Sequence, residues 1–147
     1  MAWTTERWTL AECLNAARSE IAAVKKKAAE LNTALAAGTL EKEKCLNAAV
    51  QYRRIYADLE YIKGRNGISA YAAAQLDDPA IGPKFVAVQS AMQTAFSSLM
   101  DQIETHQGSP KLATVNLTTA EITPILVDPE SLKGVELAAA LTAVVNA

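Results

Sequence analysis

The sequence predicts a mainly α-helical protein: a long antiparallel helical hairpin with a third and a C-terminal helix in a bundle, and a small β-hairpin between those last two helices. Three observations predict this fold. Over residues 9–63, apolar residues recur at alternating steps of three and four, as they do on helices that bury one narrow stripe. Glycines and prolines interrupt the chain over residues 64–83 and again after residue 107, which ends regular helix there. Residues 111–127 contain two β-prone runs, the first of which alternates apolar and polar positions.

The helical hairpin of residues 9–63 turns at Gly38. Thr9 and Glu12 form a capping box at its start. Gly38 accepts the left-handed conformation that closes a helix, and Thr39 offers an N-cap for the next one. The predicted stripe of the first helix is Leu10, Leu14, Ala17, Ile21, Val24, Ala28, Leu31 and Leu35. That of the second is Cys45, Ala48, Tyr52, Ile55, Leu59 and Ile62. Because the connection is so short, we expect the two helices to be antiparallel neighbours.

A predicted loop at residues 64–83 leads to a third helix at residues 84–107. Pro83 suits the start of that helix, and Gly108 suits its end. His106, the only histidine of the chain, then falls in the last helical turn, where a cation complements the helix dipole.

The predicted β-hairpin covers residues 111–127 and turns near Thr119 and Ala120. Pro124 restricts its second strand to a sheet edge or an extended segment. Because an isolated two-stranded ribbon is marginal in water, we expect it to lie against helices or to pair with strands of another copy.

The predicted C-terminal helix covers residues 128–146, with Asp128 as its N-cap and Pro129 at its first position. This helix is apolar over most of its circumference. We therefore expect it to be buried, either in its own domain or in a neighbouring subunit.

Composition limits the possible roles. The chain of 147 residues has the length of one domain. A formal charge of −2 with 20% charged residues provides no strong field to attract nucleic acid or anionic lipid, so we expect neither direct sequence-specific nucleic-acid binding nor a membrane partner. No apolar run reaches the length of a membrane span, and residues 1–8 lack the pattern of a signal peptide, which predicts a cytoplasmic or intracellularly assembled protein.

Cys13 and Cys45 lie at different depths of the hairpin, so we expect buried thiols and no mutual disulfide.

The sequence contains none of the motifs that would indicate catalysis: no Gly-rich phosphate loop, CxxC, HExxH or GxSxG. Its one histidine has no second histidine or cysteine at the spacing of metal ligands. We therefore predict no enzyme activity, no metal site and no cofactor.

Several residues are candidate contacts for a partner, because aromatic, arginine and exposed apolar side chains favour interfaces. A structural role is an alternative for some of them; an N-terminal tryptophan can simply cover one end of the bundle. The candidates are Trp3, Arg53, Tyr56, Val115, Leu117, Leu137 and Leu141.

The order of elements, with a long hairpin, a ribbon that lacks a sheet and an apolar final helix, resembles the small helical head-to-tail adaptor, or neck, proteins of tailed bacteriophages. That resemblance implies a structural subunit of a ring in the virion, with copies of itself, a portal and tail components as partners. It carries over no functional residues. The alternative is a cytoplasmic helical binding module or chaperone that grips a partner helix along its apolar stripe.

Overall fold

The computed structural model describes residues 10–64, 82–107, 109–118 and 121–147. The helices in these ranges are α1 (Leu10–Ala36), α2 (Lys42–Gly64), α3 (Gly82–Asp101) and α4 (Leu132–Asn146). The strands are β1 (Glu104–His106), β2 (Ser109–Lys111), β3 (Ala113–Asn116) and β4 (Glu121–Pro124). The fold is mainly α with a small β-hairpin between the last two of these helices, which confirms the predicted fold class.

The four helices pack around one core. Helix α1 packs against α2 and α4, and α3 packs against the same two helices. The end of α1, the start of α2, the end of α3 and the start of α4 meet at one end of the bundle, so neighbouring helices run antiparallel. At the start of α4, for example, the Lys133 carbonyl oxygen accepts a 2.8 Å hydrogen bond from Gln102, just after α3.

The predicted stripes of α1 and α2 are confirmed as core. Every stripe residue whose side chain the structure describes is buried or half-buried, and Val24, Ala28, Ala48 and Leu59 are fully enclosed. The stripes contact α3 and α4 as well as each other, because the hairpin forms half of a four-helix core. This explains how a stripe rich in alanine is covered so completely.

The turn at Gly38 also follows the prediction, with one correction. Gly38 has a φ of 73°, and the N–H groups of Gly38 and Thr39 donate to the carbonyls of Leu35 and Ala34 at 3.0 and 2.9 Å, the Schellman pattern. Thr39 was predicted to cap α2. Its hydroxyl instead donates to the Ala34 carbonyl, so it closes α1, and α2 begins three residues later at Lys42.

The third helix is shorter than predicted, ending at Asp101 instead of residue 107. The following residues form β1 and β2, an antiparallel pair in which His106 lies opposite Ser109 and Gln107 has a φ of 52°. His106 therefore lies in a strand, and its predicted position in the last turn of a helix was wrong. Contacts from Gln102 to Lys133 and from Glu104 to Lys42 favour the extended chain over another helical turn.

The final helix starts later than predicted, at Leu132. Its N-cap is Ser131, whose hydroxyl oxygen accepts from the Gly134 N–H at 3.0 Å. Asp128 is not the N-cap; its carboxylate accepts from the Glu130 N–H at 2.9 Å and stabilises the turn before the helix. A local carboxylate turn and a helix cap use similar residues, and here the turn forms.

The predictions for the loop at residues 64–83 and for the β-hairpin at residues 111–127 have different outcomes. The predicted loop falls almost entirely on residues 65–81, which lie outside the described residues. The predicted β-hairpin is confirmed by the antiparallel pairing of β3 with β4, in which Val115 lies opposite Ile122 and Ala113 opposite Pro124. We call β3 and β4 together, residues 113–116 and 121–124, the ribbon.

Candidate interaction surfaces

The ribbon exposes apolar side chains to solvent. All eight of its residues are exposed, and Val115 and Ile122, which lie opposite each other, are 60% and 71% exposed. Leu117, which follows β3 in the turn, is 92% exposed. A pair of strands with both outer edges open and an uncovered apolar face is typical of a surface that another chain covers.

The base of the ribbon is fixed to the bundle by backbone hydrogen bonds. The Ile125 N–H donates to the Leu112 carbonyl at 3.0 Å and continues the pairing of β3 with β4. On its other side, the same segment meets the α1–α2 connection: the Lys42 N–H donates to the Ile125 carbonyl at 2.9 Å, and the Val127 N–H to the Leu40 carbonyl at 2.8 Å. Leu40 and Val127 are buried. The ribbon is therefore anchored at one end and open over the rest of its length.

An ion pair adds to this anchor. The Lys42 ammonium lies 2.8 Å from the Glu104 carboxylate, joining the start of α2 to β1. The hydrogen bond from Lys42 and its positive charge lower the pKa of Glu104. The contact holds the first strand pair against the same end of the bundle as the ribbon.

More exposed apolar side chains lie in the chain that follows the ribbon. Leu126 is 47% exposed, and Leu132 and Val135 at the start of α4 are 76% and 54% exposed. Of the eleven large apolar side chains that are exposed in the described residues, six fall between Val115 and Val135. The uncovered apolar surface is therefore concentrated in and just after the ribbon.

A second surface is a cleft between α2 and α3, with a volume of about 440 Å³. Tyr52 and Met92, both almost fully buried, form its inner part. The Gln93 amide donates to the Tyr56 hydroxyl at 3.1 Å across the two helices. The remaining lining residues are Arg53, Phe96 and Ser97. We refer to this site as the cleft; it combines apolar and aromatic walls with one arginine.

Among the residues that the structure describes, the buried Tyr52 hydroxyl finds no hydrogen-bond partner. Burial raises the pKa of Tyr52 well above its ordinary value, so the phenol stays protonated at neutral pH. Cys45, the free thiol on the same helix, is also buried. Its burial raises the pKa to about 11, against a smaller opposing effect of the nearby Lys42 charge. A thiol in this state is a poor nucleophile at neutral pH.

A shallower depression of about 480 Å³ lies between α1 and α2. Its lining mixes Lys26, Lys27 and Arg54 with the acid Glu30. Glu20, elsewhere on α1, has a raised pKa because of partial burial and then the Asp58 carboxylate, partly offset by the Arg54 charge. Charges of both signs lie side by side on this face.

The predicted contact residues lie in different environments in the structure. Val115 and Leu117 lie on and beside the ribbon, and Arg53 and Tyr56 lie together in the cleft. Leu137 and Leu141 are 0% exposed in the bundle core, so they are not surface contacts, and their selection was wrong. Of the two environments predicted for α4, burial in its own domain is the one observed. Trp3 lies outside the described residues.

Two features of these surfaces were absent from the sequence-based candidates. Ile122 completes the apolar face of the ribbon opposite Val115, whereas a two-residue turn at the predicted Thr119 and Ala120 would have placed it opposite Leu117. Phe96 and Met92 lie on α3, and nothing local in the sequence indicates that they meet Arg53 and Tyr56 across two helices.

In the part of the chain that the structure describes, no three His, Cys, Asp or Glu side chains are grouped so that they could hold a metal ion. Within the same ranges, no helix combines the length and the apolar character needed to cross a bilayer.

Comparisons of the chain with protein-family models, with curated proteins and with solved structures find no match. A functional interpretation therefore depends on the sequence and on the geometry of the ribbon, the cleft and the bundle.

Proposed function

We propose that this protein is a non-enzymatic structural subunit of an assembly that contains several copies of the chain. The observation that carries the proposal is the ribbon, whose apolar residues Val115, Leu117 and Ile122 are 60–92% exposed. Full burial of one such side chain stabilises a structure by about 1.5–3 kcal/mol, so covering this face provides a substantial part of an interface. The bundle beneath the ribbon already has its own buried core and supplies a rigid base.

The specific setting that we propose is a ring that joins head to tail in a tailed-phage virion, with a portal and tail components as the further partners. Two observations support this setting: the chain resembles phage head-to-tail adaptor proteins in element order and composition, and an uncovered ribbon lies at one end of its helical bundle. Flanking genes for portal or tail proteins would support this setting, and a gene neighbourhood without any virion protein would count against it.

The alternative function, a cytoplasmic module or chaperone that grips a partner helix along its apolar stripe, fits less well. The stripes of α1 and α2 are occupied by α3 and α4, and Val24, Ala48 and Leu59 have no exposed surface. A partner helix would have to displace part of the chain's own core before it could bind there.

The assembly proposal is tested by the mass of the protein in solution. We expect light scattering of the wild-type chain to show a concentration-dependent oligomer, and the double substitution Val115→Thr with Ile122→Thr to shift it towards monomer. Threonine keeps the strand preference of these positions but replaces a methyl group of Val115 and the ethyl group of Ile122 by a hydroxyl. A wild-type chain that stays monomeric at every concentration, alone and with virion components, would overturn the proposal.

The chain offers a matched control for this test. Val50, in the middle of α2, is 61% exposed, against 60% for Val115. Val50→Thr makes the same chemical change as Val115→Thr at the same exposure, away from the ribbon. We expect it to leave the mass unchanged, so an equal loss of assembly in both variants would argue against a specific role for the ribbon.

A further inference from the structure

The ribbon and the cleft lie on different parts of the same chain. The base of the ribbon meets the first residue of α2, Lys42, whereas Tyr56 in the cleft lies fourteen residues further along that helix. At 1.5 Å per residue this separation is roughly 20 Å. Because every ribbon residue is exposed, the ribbon does not occupy the cleft of its own chain.

The two surfaces match in chemistry. The ribbon presents Val115 and Ile122 side by side, with Leu117 beyond them. The cleft offers apolar and aromatic walls, and its volume of about 440 Å³ has room for more than one aliphatic side chain. Association of these surfaces would remove apolar area from water on both sides, which is the main favourable term in most protein association.

Their charges match as well. The only charged side chain on the ribbon is Glu121, which lies opposite Asn116 near the turn. Among the described residues, the only charged side chain in the lining of the cleft is Arg53, which is exposed. An acid on one surface and a base on the other steer encounter and fix the register of a contact, even where the pair adds little affinity.

We infer that the ribbon of one copy inserts its Val115 and Ile122 face, together with Leu117, into the α2–α3 cleft of a second copy, with Glu121 directed towards Arg53. This inference rests on the proposed function and names the contact by which the copies assemble. Each chain carries both halves of the contact, so the interface is head-to-tail and extends from copy to copy. Such an interface closes into a ring when the rotation between copies allows it and otherwise continues as a filament.

A symmetric ribbon-to-ribbon dimer is the competing arrangement. It would bury the three apolar side chains of each ribbon, on the order of 400 Å² per copy, which is about half of what a standard interface buries per partner. It would also leave the cleft uncovered. Insertion into a concave site covers the ribbon from more than one side and adds the cleft walls to the buried area.

The test is disulfide trapping between two variants of the full chain. One carries Leu117→Cys and the other Ser97→Cys, because Ser97 is an exposed residue in the lining of the cleft. Both carry Cys13→Ser to remove a competing thiol, whereas Cys45 is retained because it is buried. After mixing and mild oxidation, we expect a mixed dimer linked from residue 117 to residue 97, identified by mass spectrometry of the cross-linked peptide.

The control replaces Ser97→Cys by Val50→Cys, which places an exposed thiol on α2 outside the lining of the cleft. We expect at least a tenfold lower yield of mixed dimer from that pair. A predominant product linked from residue 117 to residue 117 would overturn the inference in favour of the ribbon-to-ribbon dimer. A mixed yield no higher than that of the control would also overturn it.

Light scattering of the same samples separates this inference from the proposed function. An oligomer without the link from residue 117 to residue 97 would leave the proposed function standing and remove only the contact inferred here. A chain that stays monomeric would overturn both.

A charge exchange gives a second readout. Because exposed ion pairs contribute up to about 1 kcal/mol, we expect Arg53→Glu and Glu121→Arg each to weaken assembly by up to about fivefold, and the double variant to recover most of that loss. A double variant that assembles no better than the worse single variant would show that these two side chains do not meet.

Discussion

Leucine side chains are buried in the helical bundle of this protein but exposed beside its ribbon. In the bundle, Leu141 is 0% exposed and belongs to a continuous core. Beside the ribbon, Leu117 is 92% exposed. Both leucines are apolar side chains in the second half of the chain, and both were candidates for a partner contact. The difference indicates that the bundle is stabilised by its own core, whereas the apolar surface of the ribbon is available to another chain.

Truncating Leu141 and Leu117 to alanine should give the largest difference in the free energy of unfolding between the two regions. Leu141→Ala leaves a cavity in the core and should lower the free energy of unfolding by about 2–5 kcal/mol. Leu117→Ala removes an exposed side chain and should change it by less than about 0.5 kcal/mol. Urea unfolding followed by far-ultraviolet circular dichroism, at a concentration where the chain is monomeric, measures both. Equal losses would mean that the ribbon contributes to the core as much as α4 does.

Gly134 tests the junction between the regions. A Cβ at this position would lie 2.0 Å from the carbonyl oxygen of Asp128, in the turn that connects the ribbon segment to α4. Gly134→Ala therefore forces the turn or the helix to move, and we expect a loss of about 1–3 kcal/mol, as for other overpacked sites. Glu136→Ala, at an exposed position of the same helix, is the control and should change stability by less than about 0.5 kcal/mol. A stable Gly134→Ala variant would show that the junction is loosely packed.

Alkaline pH should weaken the bundle through its buried acids. Burial raises the pKa of Cys45 from 9.0 to about 11 and also raises the pKa of Tyr52. As the pH rises above 9, the unfolded chain loses these protons before the folded chain does, so the folded state loses stability until the pH passes the folded pKa. We expect Cys45 to account for about 1 kcal/mol of lost stability between pH 8 and pH 10.

Urea unfolding at both pH values measures this loss. Cys45→Ala should reduce the difference between the two values, whatever it does to the stability at pH 8. A pH dependence that is the same in the wild type and in Cys45→Ala would show that the thiol titrates as it does in water.

The sequence was informative where burial repeats along one element. The stripe that runs from Ala17 to Leu35 identified α1, because a helix with one buried face must repeat its apolar residues near every 3.6 positions. Element ends were less predictable. Helix α3 stops at Asp101, where Gln102 bonds to Lys133, a residue far away in sequence that no local pattern contains. Helix α4 starts at Leu132 because Asp128 forms a turn and Ser131 caps the helix, a choice that the local sequence leaves open.

The candidate surfaces were also predictable only where a local sequence pattern determines exposure. Val115 and Leu117 could be predicted, since a short two-stranded ribbon cannot bury both of its faces. Leu137 and Leu141 could not be assigned correctly, because a helix that is apolar on most sides does not indicate which side faces its own core. The structure shows that Val135 and Val145 are on the exposed side. The cleft was beyond prediction because it needs the relative placement of α2 and α3.

The smallest expected effect on overall stability concerns the turn of the ribbon. The Asn116 carboxamide oxygen accepts a 3.0 Å hydrogen bond from the Thr118 N–H. Asn116→Ala removes this contact, and because the ribbon is exposed, we expect the free energy of global unfolding to change by less than about 0.5 kcal/mol. Amide hydrogen exchange should nevertheless become about fivefold faster in β3 and β4, as expected when a hydrogen bond worth about 1 kcal/mol is lost from a locally opening segment.

Asn47→Ala, at an exposed position of α2, is the control and should leave exchange in the ribbon unchanged. If Asn116→Ala instead accelerated exchange in α1 and α4 to the same extent as in the ribbon, the ribbon would open only with the whole molecule. Its apolar face would then be part of one cooperative unit, and the distinction between a self-sufficient bundle and a ribbon that needs a partner would fail.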